Sequence, residues 1–205
     1  DDMVITYSDE PVVDAGTDVT VCENNADVVL AGTVDVGGTA ISWTTSGDGT
    51  FDDNTSLTAT YSAGATDLTN GTVTLTLTSS LSGCTDVTDD MVITYSPAPV
   101  VDAGVDVTVC ENNSDVSLSG STSSGTVIWT TSGDGTFDDN TSLTAIYTPG
   151  TTDLTNGTVT LTLTSSLSGC TDVSDDMVVT INPTPIVFAG ADTSLCKNDA
   201  DFVLE

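Results

Sequence analysis

Thr72-Val73-Thr74-Leu75-Thr76-Leu77-Thr78 alternates a hydroxyl with an aliphatic side chain at every step, and the same seven residues return as Thr158-Val159-Thr160-Leu161-Thr162-Leu163-Thr164. A period of two puts Val73, Leu75 and Leu77 on one face and the threonines on the other. That is the pattern of an antiparallel strand with one buried face. Ala and Leu are not organised at helical spacing, so the chain reads as all-β. Working outward, strands are expected at Val12–Cys22 (broken at Ala15-Gly16), Val28–Ala31, Ile41–Thr45, Ser56–Tyr61 and Met91–Tyr95. Ser62–Gly71 is expected to be a loop. Roughly seven short strands with turns every eight to twelve residues describe a β-sandwich with Greek-key connections. Trp43 and Trp129, each central in a strand, are expected in the core with Val73, Leu75 and Leu77.

The alternating strand belongs to a long internal repeat. Residues 12–96 recur at 100–182, and Thr44–Ser96 differs from Thr130–Asn182 at only eight of fifty-three positions. The two copies differ in length by two residues, between Gly32 and Ile41 in the first and across Ser121–Val127 in the second. Asp1–Ser8 restates Asp89–Ser96, and Ile186–Glu205 restates the head of a further unit. A period this long lets each unit hold its own core. The expected division is the last strand of a preceding repeat at 1–8, complete sandwiches at 9–96 and 97–182, and the first strands of a following repeat at 183–205. Pro11, Pro97, Pro99, Pro183 and Pro185 mark the junctions. Short linkers of that kind leave little swing, and the units are expected to line up as a rod.

Charge bounds the partners. One basic residue, Lys197, stands against 31 acids, with no His, Arg or Gln. Such a surface repels nucleic acid and anionic lipid, because nothing can neutralise phosphate. No apolar run is long enough to cross a membrane as a helix, so direct membrane insertion is not expected. General acid–base or nucleophilic chemistry would have to come from Asp, Ser and Thr alone, and an enzyme is not expected.

The cysteines and aspartates carry the candidate sites. Each complete unit has two cysteines without a C-x-x-C motif, which points to disulfides in an oxidising compartment. Lys–Asn isopeptide bonds would need a lysine in every unit, and Thr–Gln ester bonds a glutamine. Within-repeat bonds, Cys22–Cys84 and Cys110–Cys170, are the preferred pairing, with the partner of Cys196 outside the chain. The difficulty is that Cys22 ends the first strand whereas Cys84 opens the last. Bridges across the junction, Cys84–Cys110 and Cys170–Cys196, are the alternative. Asp48, Asp52, Asp53 and Asp67 recur as Asp134, Asp138, Asp139 and Asp153, and the junction adds Asp102. Hard oxygen ligands gathered between tandem units could hold Ca2+. Against this, Asp-Gly and Asp-Asp-Asn are ordinary turn chemistry, no D-x-D-x-D-G loop occurs, and Phe188 stands where the other copies have Asp14 and Asp102.

The string Trp43-Thr44-Thr45-Ser46-Gly47-Asp48-Gly49-Thr50 resembles the W-x-x-x-G-D-G signature of PKD domains, which are immunoglobulin-like sandwiches. The further pattern Tyr147-Thr148-Pro149-Gly150, Asp153-Leu154, Gly157 to Thr164 and Gly169-Cys170 is similar to PKD-like repeats of giant Bacteroidota surface proteins, such as the large gliding-motility adhesins. The first copy departs at Ala63, where that family commonly has Pro. The resemblance spans nearly the whole chain and implies export to the cell surface, with adhesion or spacing as the task. The expected function is a structural repeat of an extracellular stalk or filament, stiffened by disulfides with Ca2+ as the candidate ion. The alternative is an adhesive module recognising glycan or a surface with avidity from repetition. Further copies of the repeat in the parent chain, and lateral self-association into fibres, are the expected partners.

Overall fold

The computed structural model describes residues 2–4, 9–35 and 40–189, and every strand pairing among them falls within 13–96 or within 101–182. Cys196, most of the opening segment 1–8 and the run 190–205 lie outside the described residues. The first unit comprises β1 (Val13–Asp14), β2 (Val19–Cys22), β3 (Val28–Val29), β4 (Thr33–Val34), β5 (Ala40–Thr45), β6 (Thr50–Phe51), β7 (Thr60–Ser62), α1 (Ala65–Asn70), β8 (Thr72–Ser80) and β9 (Val87–Ser96). The second repeats that plan as β10 (Val101–Asp102), β11 (Val107–Cys110), β12 (Val116–Ser117), β13 (Ser121–Thr122), β14 (Thr126–Thr131), β15 (Thr136–Phe137), β16 (Ile146–Thr148), α2 (Thr151–Asn156), β17 (Thr158–Ser166) and β18 (Val173–Asn182).

One sheet of the first unit has the order β2-β9-β8-β5, the other β3-β7-β6, with β1 and β4 forming a separate pair. β2 runs parallel to β9, whereas β9, β8 and β5 alternate in direction. These are immunoglobulin-like Greek-key sandwiches in tandem. The chain turns from β1 to β2 at Gly16, whose φ of 95° lies in the left-handed region that glycine occupies without a Cβ clash. What reads as one broken strand over Val12–Cys22 is thus two strands with different partners: β1 pairs with β4, and β2 with β9.

β8 shows why the alternation decides the architecture. Every second residue from Val73 to Ser79 is buried, and the threonines between them remain partly exposed. On the inward face Trp43 lies opposite Leu77, and Leu75 opposite Met91. On the outward face Thr76 faces Asp90 and donates its hydroxyl to the carboxylate at 2.6 Å. The facing sheet brings Tyr61 and Phe51, with ring centroids 5.0 Å apart, and Phe51 lies 6.4 Å from Trp43. Trp43 is 1 % exposed, and its indole N–H donates to the Ser56 carbonyl at 3.0 Å, so burial leaves no polar group stranded. Trp129, Phe137 and Tyr147 reproduce the arrangement in the second unit.

The expected loop Ser62–Gly71 contains a helix. α1 is a turn and a half of Ala-Thr-Asp-Leu-Thr-Asn, a composition with little helical preference of its own. It is held by tertiary contacts: the Asp67 carboxylate accepts the Gly64 N–H at 3.0 Å, and the helix stops where the Gly71 N–H reaches the Asp67 carbonyl at 2.9 Å. The short strand β6 also has no periodic signature, because two residues cannot express one.

Candidate functional site

Asp67 is 1 % exposed and sits at the end of the sandwich from which the chain leaves for the next unit, since Thr72 just beyond α1 lies opposite Thr94. One carboxylate oxygen accepts from the Tyr61 hydroxyl at 2.6 Å, the Gly64 N–H at 3.0 Å and the Gly49 N–H at 3.1 Å. The other accepts from the Asp48 N–H at 3.2 Å. A buried carboxylate supplied with this many donors is a structural staple. It also explains the Gly-Asp-Gly signature. A Cβ on Gly47 would run into the Asp67 carboxylate, and one on Gly49 into the Tyr61 hydroxyl and the Ser62 carbonyl. Burial, then the hydrogen bond to Asp67, pushes the Tyr61 phenol up to about 12. Asp153 and Tyr147 repeat the staple, with Tyr147 likewise pushed up to about 12.

The remaining acidic candidates are spent locally. Asp48 accepts from the backbone of Thr66 and Asp67, and its carboxyl is held below the usual range, foremost by the Thr66 side chain. Asp134 does the same with Thr152 and Asp153, the Thr152 N–H being the largest cause of its lowering. Asp52 bridges the Thr60 and Asp53 N–H groups, and the Thr60 bond leads in lowering its carboxyl. Asp138 makes the matching bonds to Ile146 and Asp139. Asp53 and Asp139 close turns onto Thr55 and Thr141, whose side chains lower them most. Asp102 accepts from the Gly104 N–H at 2.8 Å. Among the described residues no three acidic, His or Cys side chains gather as a group that could hold a metal ion. The most buried of these carboxylates, Asp67, is supplied by N–H and O–H donors on both oxygens.

The joint between the units is where the structure brings unexpected residues together. Cys22 is bonded to Cys170, 148 residues away, with a Cα–Cα distance of 5.0 Å. Beside it the Asn24 side chain pairs with the Thr171 backbone as a neighbouring strand would. Its amide donates to the Thr171 carbonyl at 2.9 Å, and its oxygen accepts the Thr171 N–H at 3.0 Å. The Thr171 hydroxyl returns a bond to the Asn24 carbonyl at 3.1 Å, and Asn25 donates to the Gly169 carbonyl at 3.2 Å. On the linker, the Glu23 carboxylate accepts the Ala98 N–H at 3.0 Å.

The within-repeat pairs Cys22–Cys84 and Cys110–Cys170 are therefore corrected, and so is the alternative of Cys84 with Cys110, which are both free thiols. The reason is strand geometry. Cys22 lies opposite Ser96, the last residue of β9, whereas Cys84 precedes Val87, its first. Ten residues of extended strand separate the two ends by roughly 30 Å, and a disulfide tolerates a Cα separation of about 7 Å at most. The head cysteine of one unit and the tail cysteine of the next face the same junction. Asn24, Asn25, Gly169 and Thr171 carry no periodic signal. Their trace in the sequence is the recurrence of Cys-Glu-Asn-Asn at 22–25 and 110–113, which reads equally well as a turn.

No helix among the described residues is long and apolar enough to cross a membrane. The disulfide suits an oxidising environment. No protein-family model matches the chain, and no curated protein matches its sequence. Similar solved structures include the insect immune protein hemolin, 13 % identical with a TM-score of 0.44, covering 86 % of this chain and 48 % of hemolin. Extracellular domains 3–5 of Drosophila OTK are 10 % identical with a TM-score of 0.44, covering 81 % of this chain and 59 % of that one. The first two immunoglobulin domains of DIP-gamma are 12 % identical with a TM-score of 0.41, covering 85 % and 98 %. This chain thus spans about half the length of hemolin.

Proposed function

We propose that the chain is a spacer segment of an extracellular stalk or filament, in which immunoglobulin-like units are locked end to end at their joints. The observation that carries this reading is the Cys22–Cys170 bond with its Asn24–Thr171 pairing, a joint fixed by both a covalent link and directional hydrogen bonds. A binding module does not need its neighbour held in this way; a load-bearing spacer does. The surface chemistry supports the same reading. Among the described residues every Trp and Tyr (Trp43, Trp129, Tyr61, Tyr95 and Tyr147) is buried, so these platforms, on which glycan rings usually stack, are turned inward. The dense negative charge keeps such a surface soluble and separate from its neighbours. Display on the surface of a Bacteroidota cell, as the PKD-like motifs imply, belongs to this proposal, and Ca2+ is not needed for it.

Pulling a single chain by its ends tests the idea. Oxidised, the chain should yield no length from the 148 residues bridged by Cys22 and Cys170. Reduction should release about 50 nm of additional contour, at roughly 3.4 Å per residue. Equal extension in both states would mean that the joint bears no load and would remove the basis for a spacer role.

A further inference from the structure

Among the described residues two thiols remain, Cys84 and Cys110, at the ends of the two units that face away from the joint just described. Cys110 is the head cysteine of the second unit, in the setting that Cys22 has in the first. Glu23 and Glu111 each donate a backbone N–H to the end of the last strand, at Ser96 and Asn182, both at 2.9 Å. Cys22 and Cys110 each bridge to the asparagine three residues on. Glu111 holds the Thr184 N–H of the following linker at 3.1 Å, as Glu23 holds Ala98. The exit of the second unit is therefore built like the exit that places Cys22 against Cys170. Cys84 in turn matches Cys170: both lie in Leu-Ser-Gly-Cys-Thr-Asp, and both donate to a leucine carbonyl at 2.9 Å, from Leu81 and Leu167.

We infer that Cys84 and Cys110 are the two open halves of the same inter-repeat disulfide. Each is built to receive a further copy of this repeat, so that every unit is bonded to the unit before it and the unit after it. This rests on the spacer reading above. Cys110 would take the tail cysteine of a following copy, and Cys84 the head cysteine of a preceding one, with the Asn112–Asn113 and Gly83–Thr85 surfaces making the contacts seen at Asn24–Asn25 and Gly169–Thr171. The difference in coverage fits. Cys22, under its neighbour, is 2 % exposed, whereas Cys110, with no further unit against it among the described residues, is exposed. Bond formation removes two protons and two electrons from the thiol pair. A small-molecule disulfide such as oxidised glutathione accepts them and leaves as two glutathione thiols.

Separate molecules of the chain can supply the further copy. In a Cys196→Ser background, oxidation with glutathione disulfide should give a ladder of disulfide-linked multimers, and mass spectrometry of the cross-link should find Cys110 joined to Cys84. Cys84→Ser and Cys110→Ser should each abolish the ladder, and a mixture of the two variants should stop at dimers. Symmetric Cys84–Cys84 or Cys110–Cys110 links, or no intermolecular link, would overturn the inference. The intramolecular pair is read in the digest of the Cys84→Ser variant, because residues 66–87 and 152–173, which carry Cys84 and Cys170, are identical in sequence. If Cys22–Cys170 is present while the intermolecular bond is absent, only this inference fails. If Cys22–Cys170 is itself missing, the joint and the spacer reading fail with it.

Discussion

At the scale of single residues, Asp67 and Asp153 matter most, because each ties two loops and a helix to one buried carboxylate. Asp67→Asn replaces an acceptor of charge-assisted bonds with an amide that presents donors to donors. It should cost about 3 kcal/mol, lowering the midpoint of the first unit by on the order of 10–20 °C in thermal melting. A change within a degree or two would show the staple to be dispensable. The titrating groups set both limbs of the pH profile. Asp48 and Asp53 have lowered carboxyls, so their contribution is present above about pH 4 and is lost as pH falls through their folded values. Tyr61 and Tyr147 are raised to about 12, so theirs is complete below about pH 10 and is lost as pH rises toward 12. Melting followed against pH should show a plateau between these limits, and Tyr61→Phe with Tyr147→Phe should shallow the alkaline limb. Tyr95 offers the opposite test. Its buried hydroxyl has no hydrogen-bond partner, and the second copy has Ile181 there. Tyr95→Phe should leave stability unchanged or raise it by about 1 kcal/mol, and marked destabilisation would reveal a partner for the hydroxyl.

At the scale of elements, legibility followed the strength of the local pattern. β8 and β17 could be read from their Thr-Val/Leu alternation because nine residues give several cycles of a two-residue period. β6 gives one cycle and left no trace. α1 was missed because its stability is borrowed: Asp67 and Gly64 hold a segment whose own preference is for turns. The hydrogen bonds made by the aspartates were hidden for a related reason. Spacing reveals that carboxylates are near one another in sequence, but not that N–H donors already occupy them. The Gly-Asp-Gly turn is the element most sensitive to substitution. Gly47→Ala would place a methyl group in the Asp67 carboxylate, and should destabilise its unit by at least 2 kcal/mol, measurable by urea denaturation. Gly83→Ala, where a Cβ would meet nothing within 4 Å, provides the contrast, although its φ of 89° retains some strain.

At the scale of the molecule, the joint is the feature the sequence could not disclose. Five cysteines at regular intervals announce disulfides, but pairing depends on which end of a sandwich each cysteine occupies. That follows from β2 running parallel to β9, a relation no local pattern encodes. A loop of 148 residues closed by one bond stabilises by about 5 kcal/mol on the chain-entropy argument. Because the bond joins two units, reduction should loosen their relation more than it unfolds either sandwich. Small-angle scattering should then show a broader distribution of end-to-end distances after reduction, while circular dichroism retains the β signal. The most direct test is peptide mapping, without reduction, of the oxidised chain and its Cys84→Ser variant, because cleavage at aspartate leaves Cys84 and Cys170 in identical peptides, 68–86 and 154–172. The account requires the segment with Val21-Cys22-Glu23 to stay cross-linked to the one with Gly169-Cys170-Thr171 in the variant. Loss of that cross-link in Cys84→Ser would mean that Cys22 is joined to Cys84 and would contradict it.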